Sequence, residues 1–429
     1  MIKELIDSYR SRELKVEDSV RSFLKRIELE NGTYNAILHT NHEAIDRAID
    51  LDKYLENHNK LKGRLHGIPI ILKANIETKD QQPTSCGSIL LKDFISAKDA
   101  SIVKLLVAEG AIILGKSNMS EFSNYVSNYS KSGYSSLGGQ TISAFGSTHP
   151  VGGSSSGSAV AVATSLCIFS VGSETDGSVV YPAAHNGVFA IKFGSKSLSS
   201  QGIIGISSYF DSIGYFTKKI EDLSYLINFH QIIPKSKRQL LKVFIEVDSF
   251  SSSSFFLEKL RGTLFKNNIE EESGVFISDI DPYFEMMDII CQTEFKLNIV
   301  NELPCTSEEF LQNCRETLLV NFHPDINEIE RSFASDFLLS GKYDWAKEEI
   351  EKLRIEKLLF MKQNGIDLIL ALTLGKENTA SIATLVGLSH LVIPISLNEE
   401  LPISLSIIGS PIPEDMMVDL AKKILKEFL

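Results

Sequence analysis

A chain of 429 residues, 43% of them hydrophobic, can bury a large core, which excludes an intrinsically disordered protein. The formal net charge of −12 argues against a surface that binds nucleic acid, and it leaves a basic partner or substrate open. The five cysteines contain no CxxC pair, and their odd number argues against a complete disulfide framework.

The N-terminal sequence MIKELIDSYRSREL is charged throughout and lacks the apolar segment of a secretion signal. No apolar run reaches the roughly 18 to 20 residues that a membrane-spanning helix requires. We therefore expect a cytoplasmic protein that has reduced cysteines and no membrane contact.

Apolar residues recur at helical spacing near the N terminus, at Val16, Val20, Phe23, Leu24 and Ile27. The apolar run 70–72 predicts a buried strand. Residues 102–108 have the pattern of a helix that Gly110 ends, and a strand is predicted over 111–114. Further strands are predicted over 366–372, 390–396 and 403–409, and a closing helix over 415–428. The helix and strand over 102–114 form a unit that suits an α/β fold with a mostly parallel sheet covered by helices.

Residues 152–178, GGSSSGSAVAVATSLCIFSVGSETDGS, place two serine–glycine loops on either side of one apolar segment, which is predicted to be a buried helix. Ser178 follows Ser154 by 24 residues. Cleavage of an amide requires a nucleophile, a base and hydrogen-bond donors for the oxyanion. The tight turn before Ser178 would direct successive backbone N–H groups towards one point beside its hydroxyl. The pattern therefore indicates a catalytic site.

A base for this serine is predicted at Lys73. A lysine accepts a proton only when burial or nearby cations lower its pKa from about 10.4. Lys73 directly follows the apolar run 70–72, which would hold its amine away from water.

Together with Lys73 in GIPIILKAN, these loops resemble the amidase signature family, whose members cleave carboxamides with a Ser, cis-Ser, Lys triad. The resemblance implies that Ser178 is the nucleophile, that Ser154 follows a cis peptide bond and relays a proton, and that Lys73 is the base. The mechanism that this resemblance implies requires no metal or organic cofactor.

Further roles follow from the same resemblance. The backbone N–H groups of Thr175, Asp176 and Gly177 would form the oxyanion hole. Ser155 and Ser173 would form hydrogen bonds around Lys73.

The resemblance is dense over about residues 60–220, is present at both termini and is weak over about 235–345. It implies one amidase domain over 1–429, with the amidase signature fold, an α/β fold in which helices cover both faces of a large mixed, mostly parallel sheet. The variable region 235–345 would cover the pocket and select the substrate, and residues 366–429 would supply closing strands and a helix.

The pattern GSETDGSVVYPA resembles peptide-amidase-like and plant or fungal amidases more than the A-type subunits of tRNA-dependent amidotransferases. Those subunits usually carry an arginine at the position of Val180, and an arginine would bind a substrate carboxylate. We therefore expect a small-molecule or peptide amide substrate. An amidotransferase A-type subunit that supplies ammonia to a partner, and a non-catalytic binding protein, remain alternatives, and a homodimer is open.

Several positions depart from the family pattern and predict either an altered pocket or a diverged subfamily. They are Ala74, Phe193, Tyr215, Ser389 and His390.

Other interpretations of the same residues have weaker support. Residues 153–157 also match GxSxG, which would make Ser155 the nucleophile of a hydrolase elbow. That elbow needs a strand directly before it, whereas residues 145–151 contain Gly146 and Pro150. No GK[ST] supports a phosphate-binding loop, and no histidine pattern indicates a metal site. Glu174 and Asp176 are two residues apart, so their carboxylates need not converge as an acid and base pair.

Overall fold

The structure is a computed structural model. It describes residues 1–195, 197–230, 242–251, 253–276, 280–303, 305–375, 379–397, 401–409 and 414–428. The first residues of the variable region, 235–241, lie outside this description. No helix in these ranges is both long and apolar enough to cross a membrane.

The described residues form fourteen α-helices. These are α1 (Ile2–Ser11), α2 (Val16–Tyr34), α3 (Ala44–His58), α4 (Ser101–Ala108), α5 (Ser156–Ala163), α6 (Val180–His185), α7 (Ile220–His230), α8 (Ser254–Lys266), α9 (Asp281–Glu302), α10 (Ser307–Asn313), α11 (Asn327–Ala334), α12 (Lys342–Gln363), α13 (Thr379–Val386) and α14 (Glu414–Phe428).

Thirteen strands are present in the same ranges. These are β1 (Ile37–Thr40), β2 (Pro69–Lys73), β3 (Ile112–Ser117), β4 (Tyr134–Ser135), β5 (Gly139–Gln140), β6 (Phe169–Glu174), β7 (Phe189–Lys192), β8 (Ser212–Thr217), β9 (Lys242–Glu246), β10 (Glu270–Gly274), β11 (Leu368–Leu372), β12 (Ser389–Leu397) and β13 (Pro402–Gly409).

Eleven of these described strands form one sheet in the order β1-β3-β2-β6-β8-β7-β12-β13-β11-β9-β10, and β4 pairs with β5 separately. Four neighbouring pairs are parallel, in the blocks β3-β2-β6 and β11-β9-β10. The other six pairs are antiparallel. The predicted α/β fold with a large mixed sheet is confirmed, with the parallel pairs confined to these two blocks.

Side chains alternate between the two faces of the sheet, because successive strand residues point in opposite directions. On β2, Ile70 and Leu72 join the core beneath α1, α4, α7, α8 and α14. Ile71 points the other way, into the core formed with α2, α3, α5 and α6. On that second face, α9, α12 and α13 cover the half of the sheet near β11. Helices therefore cover both faces, as predicted.

The predicted site residues lie where β2 and β6 end. These strands are parallel neighbours, with Leu72 opposite Val171, so their carboxyl ends lie at the same edge of the sheet. Lys73 is the last residue of β2, and the 175–178 loop follows directly after β6. The sheet thereby brings two segments together that are about a hundred residues apart in sequence.

Candidate active site

Lys73 is fully buried and makes three hydrogen bonds through its amine. Lys73 Nζ donates to Ser154 Oγ at 2.7 Å, to the Ser173 carbonyl at 3.0 Å and to Ser173 Oγ at 3.1 Å. Burial lowers the pKa of Lys73 to about 7, although the nearby Asp211 and Glu174 carboxyls oppose this shift. A substantial fraction of the amine is therefore neutral near pH 7.

Ser154 lies two residues before the start of α5 and is 1% exposed. The peptide bond between Gly153 and Ser154 is cis. The Ser154 carbonyl accepts a hydrogen bond from the Ser120 N–H at 3.0 Å. A Cβ atom at Gly153 would lie 2.5 Å from Ser120 Oγ, which itself accepts from the Gly133 N–H at 2.8 Å. A larger residue at position 153 would therefore require the Ser120 side chain to move.

The 175–178 loop presents backbone donors that have no acceptor among the described residues. The N–H groups of Val179 and Val180, just after it, donate to Glu174 Oε2 at 2.6 and 3.0 Å. The four N–H groups of residues 175–178 make no hydrogen bond with any described residue. Gly177 has φ of +82°, and a Cβ atom there would lie 2.2 Å from the Tyr181 ring. This conformation leaves successive donors free for an external oxygen atom.

Ser178 is 7% exposed and is linked to the other loop through the backbone. The Ser155 N–H donates to the Ser178 carbonyl at 3.1 Å. The described residues show no hydrogen bond between the hydroxyls of Ser154 and Ser178. A side-chain hydrogen bond thus joins Lys73 to Ser154, whereas a main-chain hydrogen bond holds Ser178 beside them.

Ser155 and Ser173, both expected around Lys73, lie there in different ways. Ser173 contacts the amine directly, and its Oγ also accepts from Asn75 Nδ2 at 3.0 Å. Ser155 is fully buried and is linked to Lys73 indirectly. Its Oγ donates at 3.1 Å to the Ser173 carbonyl, which also accepts from the Lys73 amine. A fully buried serine in this position is poorly placed to attack a substrate.

Three side chains that sequence reasoning missed contact the 175–178 loop. Ser381 Oγ, on α13, donates to the Asp176 carboxylate at 2.9 and 3.1 Å. Thr384 Oγ1, on the same helix, donates to the Thr175 carbonyl at 3.0 Å. Asp211 accepts from the Thr175 hydroxyl. Sequence reasoning also missed Asn75, which donates to Ser173 Oγ and, unlike these three, lies two residues after Lys73 in the GIPIILKAN motif.

The positions that depart from the family pattern lie in the core. Phe193 and Tyr215 are fully buried, and their rings meet edge to face at 5.7 Å. The Tyr215 hydroxyl contacts His230 Nε2, and His390 Nε2 contacts Ser406 Oγ at 2.7 Å. Ala74 is also buried, and its carbonyl accepts from the Cys86 N–H at 3.1 Å. The two aromatic side chains at these positions therefore pack against each other in the core.

Within the described ranges, no group of three or more His, Cys, Asp or Glu side chains is arranged to hold a metal ion. The polar groups at the site are hydroxyls, amides, one amine, backbone carbonyls and the carboxyl groups of Glu174, Asp176 and Asp211. This set suits proton transfer and the stabilisation of an oxyanion.

Comparison with known proteins agrees with this chemistry. The family described as Amidase matches residues 18–259. The chain is 26% identical to a probable amidase of Arabidopsis thaliana, over 98% of this chain and 88% of the relative. It is 30% identical to the A-type subunit of a glutamyl-tRNA(Gln) amidotransferase from Methanococcus maripaludis, with 84% of each chain covered.

Among solved structures, the fold is similar to native peptide amidase from Stenotrophomonas maltophilia, with a TM-score of 0.89 and 25% identity. The similarity covers 99% of this chain and 96% of that one. The family predicted from the serine loops and Lys73 is confirmed. The chain belongs to the amidase family and is an amide hydrolase.

Proposed function

We propose that the enzyme cleaves carboxamides through an acyl-enzyme on Ser178, with Ser154 as the proton relay and Lys73 as the base. The observation that carries this proposal is the 2.7 Å hydrogen bond between Lys73 Nζ and Ser154 Oγ in a fully buried setting. Because burial lowers the pKa of Lys73 to about 7, a neutral amine is available to accept a proton.

The first half of the reaction forms the acyl-enzyme. Ser178 Oγ bonds to the carbonyl carbon while its proton passes to Ser154 Oγ, and the Ser154 proton passes to Lys73 Nζ. Collapse of the tetrahedral intermediate breaks the C–N bond, and the relay returns a proton to the leaving amine or ammonia. Water then attacks the ester in the same way, which releases the carboxylic acid and restores Ser178.

The oxyanion of each tetrahedral intermediate would bind to the N–H groups of Thr175, Asp176 and Gly177. These donors lack an acceptor within the described residues, so they need not break a bond to serve the reaction. Removing one such donor in other enzymes costs about 10² to 10³ in kcat.

The proposed substrate is a small-molecule or peptide carboxamide that lacks a free α-carboxylate such as that of glutamine. Val180, whose side chain is fully buried, offers no cation to such a carboxylate. The similarity to a peptide amidase over almost the whole of both chains supports a peptide amide in particular.

A second candidate is an amidotransferase A-type subunit, which the 30% identity to the Methanococcus maripaludis protein favours. That function would require glutamine as the amide donor and a partner that uses the ammonia. The two candidates differ in whether the isolated chain releases ammonia from a peptide amide.

The substrate proposal is tested by incubating the isolated enzyme with a C-terminally amidated dipeptide, or with free glutamine, and measuring ammonia. We expect release from the dipeptide amide alone, and no release by Ser178→Ala. Release from glutamine but not from the dipeptide amide would contradict the proposal and support the amidotransferase candidate.

The activity is expected to rise with pH around neutrality. Below pH 7 the Lys73 amine is protonated and cannot accept a proton, so kcat should increase about tenfold per pH unit and then level off above about pH 7. A kcat profile recorded on the dipeptide amide checks this. A kcat that stays constant across the pKa of Lys73 would contradict its role as the base.

We also propose that residues 1–429 form a single domain. The support is that one sheet takes strands from both ends of the chain, from β1 at one edge to β12 and β13 in its interior.

A further inference from the structure

The 205–211 turn lies directly against the 175–178 loop. Asp211 Oδ1 accepts a hydrogen bond from Thr175 Oγ1 at 2.5 Å. Asp211 Oδ2 accepts from the Ser207 N–H at 3.2 Å, which closes the turn. A Cβ atom at Gly205 would lie 1.7 Å from Asp211 Oδ2, so this carboxylate fits only against a glycine. The turn is thus built around Asp211, and Asp211 binds the first residue of the loop.

The opposite side of this turn is held by Glu294, which lies on α9 in the variable region and is 7% exposed. Glu294 Oε2 accepts from Ser207 Oγ at 2.6 Å and from the Tyr209 N–H at 3.0 Å. Glu294 Oε1 accepts from the Tyr343 hydroxyl, on α12, at 2.6 Å. Because Glu294 is buried, the loss of any of these three donors would cost free energy, so the contacts hold the turn, α9 and α12 together.

These contacts form a continuous connection from the variable region to the oxyanion donors. It runs from Glu294 to Ser207, from the 205–211 turn to Asp211, and from Asp211 to Thr175. On the other side of the loop, Thr384 holds the Thr175 carbonyl at 3.0 Å. Thr175 is therefore held from two separate elements, through its side chain by Asp211 and through its carbonyl by Thr384. That carbonyl shares its peptide unit with the Asp176 N–H, which is the second proposed donor.

We propose that Asp211 and Glu294 are positioning residues, which hold the 175–178 loop in the geometry that binds the oxyanion. This inference rests on the proposed function, because it assigns a task to the N–H groups of that loop. The variable region would then act on the chemical step through α9, in addition to covering the pocket.

The expected consequence is a selective loss of turnover. Oxyanion donors stabilise charge that exists only in the transition state, so their misalignment lowers kcat and leaves KM nearly unchanged. A displacement of about 1 Å can cost on the order of 100-fold in rate.

The test compares Asp211→Asn, Glu294→Gln and the double variant on the dipeptide amide. Asp211→Asn retains an acceptor for only one of its two donors, and we expect kcat to fall about 10- to 100-fold at constant KM. We expect a smaller fall for Glu294→Gln, which acts through the turn. Because both substitutions act on the same loop, the kcat of the double variant should be at most about twofold lower than the kcat of Asp211→Asn.

Tyr209→Phe is the matched control on the same turn. It removes the hydroxyl that donates to Glu351 at 2.6 Å and keeps the Tyr209 N–H that donates to Glu294. We expect wild-type kcat and KM. If Asp211→Asn does not fold, as judged by circular dichroism, Ser207→Ala replaces it, since it removes the Ser207 hydroxyl contact with Glu294.

Unchanged kcat in both Glu294→Gln and the folded Asp211 or Ser207 variant would overturn the inference. An effect on KM alone, or equal loss in Tyr209→Phe, would also overturn it. Failure of the proposed function would look different, because Ser178→Ala would then retain turnover whatever the turn variants do.

Discussion

Ser178→Ala is expected to abolish turnover, with kcat lowered by about 10⁴-fold or more, since the acyl-enzyme cannot form without the hydroxyl. The fold should be unaffected. Ser178 Oγ makes no hydrogen bond with any described residue, so its removal leaves no buried partner unsatisfied. Ammonia release and thermal unfolding, measured on the same preparation, check both expectations.

Two serine variants serve as controls for this result. Ser199→Ala removes an exposed hydroxyl outside the site and should retain full activity. Ser155→Ala tests the hydrolase-elbow interpretation, which would make Ser155 the nucleophile. Turnover that persists in Ser178→Ala but disappears in Ser155→Ala would show that the nucleophile has been assigned to the wrong serine.

Replacement of Lys73 is expected to have the second largest effect. Lys73→Met keeps most of the buried volume and removes the amine, so kcat should fall by about 10³-fold or more as the general base is lost. Lys73→Ala should be at least as slow, but it also opens a cavity. Comparing the two separates the loss of the base from the loss of packing.

The pH profile distinguishes Lys73 from its acidic neighbour. Burial raises the pKa of Asp211 to about 7, so that carboxyl titrates over the same range as Lys73. If Lys73 is the base, residual turnover in Lys73→Met should no longer rise near pH 7. A rise that is the same in Lys73→Met and wild type would assign the titration to another group.

The positions of Lys73 and the two serine loops could be predicted because their signals are local. Residues 70–72 form an unbroken apolar run, and every residue of β2 is indeed buried. The glycines around Ser154 and Ser178 mark places where the chain passes close to other groups, and the structure has the Ser120 hydroxyl against Gly153 and the Tyr181 ring against Gly177. The roles of these residues in catalysis remain predictions that the variants above test.

The supporting residues could not be predicted, because their contacts join distant parts of the chain. Asp211 follows Thr175 by 36 residues, and Glu294 follows Ser207 by 87. Neither carboxylate stands in a periodic pattern that indicates which loop it will meet. Their burial depends on the arrangement of α9 and the sheet, which periodicity does not determine.

The order of the strands in the sheet could also not be predicted from the sequence patterns. The edge strand β10, Glu270–Gly274, has no apolar alternation because much of it faces solvent. Its Glu272 forms an ion pair at 2.9 Å with Lys242 on β9. A strand held by the sheet ladder and surface charges carries little of the hydrophobic signal by which strands are recognised.

The most direct test of the proposed mechanism is intact-mass analysis after treatment with a fluorophosphonate, which forms a covalent adduct with an activated serine. We predict one adduct on the wild-type enzyme, none on Ser178→Ala, and strongly slowed formation on Lys73→Met. An adduct of full stoichiometry on folded Ser178→Ala would contradict the central claim that Ser178 is the nucleophile.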